Sequence, residues 1–247
     1  MKAAPEAQLR LLDLQEHDTA LDRQARRRRT LPELADIERL DGRLTELRDA
    51  IVGAETEVTD LDREQRKAEQ DVDQVRQRTD RDQKRLDSGQ VSSARDLSNL
   101  QSEIASLQRR QSDLEEVVLE IMERREEAEG RVAALGAERT TAEAELAALA
   151  ERRTAAEREI DEETGLTSAA RVAVAKDIPA DLLGLYEKLR DQFGGVGAAA
   201  LHRGQCQGCH LALNTVDLNR IRAAAGDEVV RCEECRRVLV RTPESGL

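Results

Sequence analysis

The chain has 247 residues, of which 36% are charged, and its formal net charge is −12. It contains one Tyr, one Phe and no Trp, which excludes a large globular core built on aromatic side chains. The acidic balance argues against a general phosphate-binding surface, because affinity for a duplex comes largely from Lys and Arg that neutralise phosphates. A mixture rich in Ala, Glu, Leu and Arg is typical of long helices and coiled coils.

The first twenty residues do not resemble a secretory signal. Charged side chains interrupt them at Glu6, Arg10, Asp13, Glu16 and Asp18, so no apolar core of a signal peptide is left. We therefore expect a cytoplasmic protein. In that reducing compartment, cysteines bind metal more readily than they form disulfides.

A short helix followed by a break is predicted at the start of the chain. Residues 7–28 form the helix, and three leucines are expected to pack against the end of the second long helix: Leu9, Leu12 and Leu21. Thr30 and Glu33 have the spacing of a capping box, and Pro32 between them is tolerated only in a first helical turn. This pattern predicts a kink around residues 29–32.

Two long stretches then carry apolar residues at the three-four spacing of a coiled coil. The first includes Ile37, Leu40, Leu44, Leu47, Ile51, Ala54, Val58 and Leu61 and continues to Leu86, with Gln65, Thr79 and Asp82 as polar interruptions. The second runs from Leu97 to Ile160, and Gly89 lies in the turn between the two. We predict an antiparallel coiled-coil hairpin, a rod on the order of 95 Å long. Parallel self-association is the alternative.

A third helix and a small C-terminal domain should follow the hairpin. The helix spans residues 179–193 and has one apolar stripe, Leu182, Leu185, Tyr186, Leu189 and Phe193. Beyond it, residues 196–201 and 211–213 are expected to pair as a strand hairpin. Asn214 or Thr215 should cap a short helix that ends before Gly226.

The four cysteines of the chain form two Cys-x-x-Cys pairs: Cys206, Cys209, Cys232 and Cys235. Zn²⁺ takes four thiolates tetrahedrally, and a two-residue gap lets one tight turn present two sulfurs to the same ion. This spacing predicts one structural Zn²⁺ per chain in a zinc ribbon. A redox pair and two disulfides are the alternatives, but no strand-helix-strand pattern of a thiol oxidoreductase precedes the first pair.

An enzymatic site is not expected. His202 and His210 lie beside a ligand set that four thiolates already fill, and His17 has no apparent partner. Three histidines in this helical pattern do not suggest a catalytic triad, a phosphate-cradling loop or an open metal site. A thiol redox enzyme, the remaining enzymatic alternative, would need a free cysteine of low pKa.

Four segments together resemble the bacterial C4-type zinc-ribbon, coiled-coil hairpin proteins, many of them from actinobacteria. These segments are the tip at residues 88–97, the run 107–114, and the two cysteine knuckles at 204–210 and 231–239. The chain departs from that family in Glu233 and Glu234, where Pro and Asn are usual, and in Arg236, where Gly is usual. At the tip it departs in Ser93, Arg95 and Asp96, where Asn, Lys and Glu are common. The resemblance implies a non-enzymatic adaptor that touches nucleic acid or transcription and flagellar regulators through the two ends of the rod.

Two kinds of partner remain open at this point. The main hypothesis is an adaptor that contacts a protein through the zinc ribbon and the hairpin tip; the runner-up is an RNA- or DNA-binding regulator. The candidate contact residues are Arg26, Arg27, Arg28, Arg29, Val91, Arg95, Arg236 and Arg237. Residues 200–247 hold seven arginines and six acids, and four thiolates on Zn²⁺ add −2, so the ribbon is close to neutral and the adaptor ranks first. A purely structural spacer is the third alternative.

The predicted fold is therefore mainly α, with a long antiparallel coiled-coil hairpin and a small C-terminal zinc ribbon. The predicted domains are a kinked hairpin over residues 1–170 with its turn near 87–94, a connecting helix over 171–195, and the ribbon over 196–247. No membrane contact and no small-molecule substrate are expected. The oligomeric state is left open.

Overall fold

A computed structural model describes residues 1–91 and 93–247, so Ser92 of the tip segment lies outside the described residues. The fold is mainly α, as predicted. The helices are α1 (Pro5–Arg29), α2 (Pro32–Asp87), α3 (Ala94–Lys176), α4 (Ala180–Gln192) and α5 (Thr215–Ala223), and the strands are β1 (Ala198–His202), β2 (Gln205–Cys206) and β3 (Val238–Arg241). The chain divides into two compact units, one of residues 35–150 and one of residues 1–34 with 151–247.

The unit of residues 35–150 is a helical hairpin. Its apolar seam joins the early part of α2 to the late part of α3, where Leu40 and Leu47 pack with Ala142. Nearer the turn, Leu61 packs in one cluster with Ile121. Residues early in α2 thus pack against residues late in α3, and later residues of α2 pack against earlier residues of α3. This confirms the antiparallel hairpin that the heptads predict.

The break between the first two helices is also confirmed, since α1 ends at Arg29 and α2 begins at Pro32. The capping box does not form as expected. The hydroxyl of Thr30 donates to the carbonyl oxygen of Arg26 at 3.1 Å, so this side chain completes the end of α1 rather than the start of α2.

The core of the second unit lies between α1, α4 and the sheet. Leu11 and Leu14 of α1 are fully buried in one cluster with Tyr186 and Val238. The expected contact for Leu9 was wrong, because this side chain is 40% exposed. The buried stripe of α1 runs through neighbouring positions instead, since α1 packs mainly on the sheet and α4.

The sheet has the strand order β2-β1-β3, with β1 antiparallel to β2 and parallel to β3. The predicted pairing of residues 196–201 with 211–213 was wrong. Leu201 of β1 pairs with Cys206 of β2, and residue Ala212 instead bridges to Gln205. The two-residue strand β2 therefore separates the two segments that were expected to meet.

The remaining short elements agree with the sequence. Helix α4 begins after Pro179, and the side chain of Asn214 accepts a hydrogen bond from the backbone N–H of Asp217 at 2.8 Å, which makes it the N-cap of α5. Among the described helices, none combines the length and apolar character that crossing a membrane requires.

Candidate metal centre

The four cysteine sulfurs come together in the C-terminal part of the chain. All four Sγ atoms lie within 4.8 Å of one another, with Cys206 and Cys235 3.8 Å apart and Cys209 and Cys232 3.9 Å apart. Sulfurs about 2.3 Å from a tetrahedral Zn²⁺ are about 3.8 Å from each other, whereas bonded disulfide sulfurs are about 2.05 Å apart. The arrangement fits one Zn²⁺ and not two disulfides.

Two equivalent turns, or knuckles, present these sulfurs. In the first, the backbone N–H of His210 donates to the carbonyl oxygen of Cys206 at 2.8 Å; in the second, the N–H of Arg236 donates to that of Cys232 at 2.9 Å. The residue after each pair is left-handed, with φ of 60° at His210 and 64° at Arg236. In the first knuckle the N–H of Gly208 also points at the sulfur of Cys206, 3.4 Å away. This donor favours a thiolate there.

Burial sets the protonation of the thiols in the protein without metal. It raises the pKa of Cys206 to about 12, and it raises the pKa of Cys232 as well. These thiols are therefore neutral near pH 7 until a metal ion replaces their protons. At Cys235, burial is outweighed by hydrogen bonds to the sulfur, led by that from the backbone N–H of Arg237, and these lower the pKa. Zn²⁺ compensates the charge of the four thiolates that it binds.

Arg237 joins the first knuckle to the end of α4. Its guanidinium donates to the carbonyl oxygens of Phe193, Val196 and Gly208 at 2.8, 2.9 and 3.2 Å, and it lies 5.6 Å from the centre of the Phe193 ring. A Cβ on Gly208 would come within 2.9 Å of Ala199 and 3.1 Å of the Arg237 side chain, so a larger residue does not fit there. The sequence analysis named Arg237 as a candidate contact residue, and in the structure its guanidinium is engaged by three backbone carbonyls.

The N-terminal arginines are partly used within the molecule. Arg27 pairs with Glu159 at 2.9 Å and with Glu163 at 3.4 Å, and Arg28 pairs with Asp161 at 2.5 Å. All three acids lie on α3. Arg26 and Arg29 are exposed.

The other candidate contact residues lie at the tip and on the second knuckle. Val91 is half-buried at a small depression of about 200 Å³ near the turn, and Arg95 is exposed at the start of α3. Arg236 is exposed and pairs with Glu233 at 3.3 Å. Arg220 of α5 also pairs with Glu233.

A buried polar cluster, which the sequence did not reveal, holds the base of the ribbon. Asp18 of α1 is 1% exposed, and it accepts from Arg171 Nε at 2.7 Å and from the hydroxyl of Tyr186 at 2.6 Å. One turn earlier, Gln15 Oε1 accepts from the backbone N–H of Gly197 at 2.8 Å. One sequence feature could have indicated this cluster: Asp18 lies at helical spacing from Leu11 and Leu14 on the buried side of α1. An acid at a buried position is rare unless it is paired.

Comparisons with known proteins agree with this architecture. Residues 14–194 match the family described as the CT398-like coiled coil hairpin domain, and residues 205–239 match the C4-type zinc ribbon domain. The cysteine geometry and the ribbon match together identify one structural Zn²⁺ as the cofactor.

Similar chains cover nearly the full length. The uncharacterized protein Rv2229c of Mycobacterium tuberculosis is 37% identical over 241 residues, 98% of both chains. A solved structure from Mycobacterium smegmatis is 36% identical with a TM-score of 0.84, over 98% of this chain and 100% of that one. CT398 from Chlamydia trachomatis is 20% identical with a TM-score of 0.71, over 96% of this chain and 98% of its own. That last likeness concerns the fold alone.

Proposed function

The chain belongs to the CT398-like coiled-coil hairpin family and carries a C4-type zinc ribbon, and from this premise we propose that it is a non-enzymatic adaptor. In this proposal a protein partner is contacted through the ribbon and through the hairpin tip. The zinc ion stabilises the ribbon, because a shell of four thiolates leaves no coordination position for a water or a substrate.

The observation that carries the proposal is the internal use of the arginines. The runner-up function requires arginines that are free to neutralise phosphates. Arg27 and Arg28 instead pair with acids of α3, and Arg237 donates to three backbone carbonyls. Arg241 likewise donates to the carbonyl oxygens of residues 224, 225, 226 and 228. Arg237 and Arg241 therefore have little capacity left for nucleic acid, whereas Arg27 and Arg28 would first have to leave their acids on α3.

Exposed apolar side chains supply the surface that an adaptor needs. On the ribbon, Val216 is 77% exposed and Leu211 is 50% exposed. At the tip, Leu97 is 37% exposed close to Arg95 in the sequence. A protein partner gains from covering such groups, whereas a nucleic-acid backbone does not.

Crosslinking in the source cells tests the adaptor directly. The full-length zinc-loaded protein is compared with Val91→Asp, Arg95→Glu and Val216→Asp, and Arg26→Ala with Arg29→Ala serves as the matched control. We expect one protein to be crosslinked to the parent and to the control, and to be lost from the tip or ribbon variants.

A titration with RNA and with duplex DNA at physiological salt tests the runner-up. The adaptor proposal would be overturned if the parent bound nucleic acid with a Kd below about 1 µM, and if changing four arginines to Ala removed this binding and reduced its salt dependence. These four are Arg26, Arg27, Arg28 and Arg29. Weak binding that these changes leave unaltered would agree with it.

A further inference from the structure

Two shallow grooves run between α2 and α3 in the unit of residues 35–150. We name them groove A, with Val72 and Val118 at its floor, and groove B, with Val58 and Val132 at its floor. Their volumes are about 460 Å³ and 410 Å³.

The two grooves repeat each other along the hairpin. Val58 and Val72 are 14 residues apart on α2, and Val118 and Val132 are 14 residues apart on α3. Fourteen residues are two heptads, so both grooves open on the same face, with centres about 21 Å apart. One straight helix laid along this face would meet both.

The rims of both grooves are acidic. Groove A is bordered by Glu69, Asp73 and Glu115, against one arginine, Arg76, which pairs with Glu115 at 3.3 Å. Groove B is bordered by two acids, Glu55 and Glu129, of which Glu129 pairs with Arg125 at 3.3 Å. Each groove therefore offers unbalanced negative charge around an apolar floor.

The charge of the whole chain is concentrated in this unit. Residues 35–150 contain 18 Lys and Arg against 29 Asp and Glu, a net charge of −11 out of −12. The other unit is therefore close to neutral. A second copy of the chain would bring an equally acidic face to the grooves, and like charges repel.

Apolar side chains lie exposed along the same face. Leu119 borders groove A and is 59% exposed. Met122, which is 41% exposed, is one heptad after Glu115 and one heptad before Glu129, and so lies between the grooves. Large exposed apolar side chains that adjoin apolar grooves are typical of an interaction surface.

We propose that this face binds a basic amphipathic helix of a partner protein. Two apolar side chains of that helix, two heptads apart, enter grooves A and B, and its Lys and Arg residues lie over the acidic rims. Leu119 and Met122 contact the apolar stripe of the partner helix between the two side chains that enter the grooves. No residue named for this surface is a residue of the ribbon or of the tip, and this inference does not depend on the proposed adaptor contacts there.

Peptide binding to the full-length zinc-loaded protein tests this inference. The probe is a labelled 22-residue peptide with Leu at heptad positions and Lys and Ala elsewhere; the controls are the same composition in scrambled order, and the same pattern with Glu in place of Lys. We expect binding to the first peptide only, weakening as salt is raised. Leu119→Asn and Met122→Asn together should weaken it about tenfold or more, as loss of central apolar contacts does.

Val117→Asn is the matched control, because Val117 is 43% exposed on α3 and borders neither groove. It is two residues from both Glu115 and Leu119, so it lies on another side of the helix. This change should leave peptide binding unaltered, and circular dichroism should show equal helicity in all variants. Equal binding of the scrambled peptide, or no effect of the Leu119 and Met122 changes, would refute the proposal. Sedimentation that shows a dimer of the parent and a monomer of the double variant would assign the face to a second copy instead.

Discussion

His210 and Arg236 occupy equivalent places in the two zinc knuckles. Each follows the second cysteine of its pair, each donates its N–H to the carbonyl oxygen of the first cysteine, and each has a left-handed backbone, with φ of 60° and 64°. The ribbon thus uses one turn twice. Neither residue is glycine, so both turns carry the steric cost that a Cβ adds in this conformation.

Arg236→Gly should therefore stabilise the ribbon. Relief of the left-handed strain is worth about 1 kcal/mol, and the exposed ion pair with Glu233 that is lost contributes less. The measurement is the midpoint of chelator-induced or thermal unfolding of the ribbon. Arg236→Ala is the control, since it removes the same ion pair and keeps the Cβ; equal stabilisation by Ala would show that strain is not the cause.

Removal of zinc should unfold the ribbon and leave the hairpin helical. The four thiolates bind the ion from two separate segments of chain, whereas the hairpin is held by its own apolar seam. Elemental analysis should give one zinc per chain, and a chelator should change the far-ultraviolet circular dichroism only slightly. Cys206→Ser should behave as the chelated parent does. A protein without metal that keeps a protease-resistant ribbon would contradict this expectation.

Zinc affinity should rise with pH. Burial raises the pKa of Cys206 to about 12 and that of Cys232 above its usual value, so both thiols are protonated in the metal-free protein near neutrality. Zinc must displace these protons, and lowering the pH makes that harder. Chelator competition between about pH 6 and pH 8 should show tighter binding at each higher pH.

Calorimetry in buffers of different ionisation enthalpy would count the protons released on zinc binding. A count near zero would contradict the expected dependence of zinc affinity on pH.

Asp18→Asn should destabilise the unit that contains α1 and the ribbon. Asp18 is almost fully buried and balances Arg171, with Arg190 3.5 Å away. Removing its charge leaves these guanidinium groups partly uncompensated, at a cost of about 2–3 kcal/mol. Denaturant unfolding measures this change. Asp22→Asn, which breaks an exposed pair with Arg190, is the control and should cost less than about 1 kcal/mol.

The sequence predicted the elements whose signals are local. Heptad spacing repeats within each long helix, and the Cys-x-x-Cys pairs report the metal directly, so α2, α3 and the zinc ligands follow from short patterns. The strand β2 has two residues, Gln205 and Cys206, and its pairing with β1 depends on contacts far along the chain. Asp18 was missed for the same reason, since its partners lie on α3 and α4.

Arg236 and Arg237 show this limit most clearly, and they give the last prediction. They are neighbours in the sequence and were given the same role, but Arg236 is exposed, whereas Arg237 donates to carbonyls of Phe193, Val196 and Gly208. Arg237→Ala should leave these partly buried carbonyls without a donor and destabilise the ribbon by about 2 kcal/mol.

Arg237→Lys should rescue this loss only in part, because an ammonium group cannot reach three carbonyls with the geometry of a planar guanidinium. Arg236→Ala should change ribbon stability by less than about 0.5 kcal/mol. Thermal unfolding of the zinc-loaded proteins compares the three variants. If Arg237→Ala were as stable as Arg236→Ala, the contacts of Arg237 with the three carbonyls would contribute nothing to the stability of the ribbon.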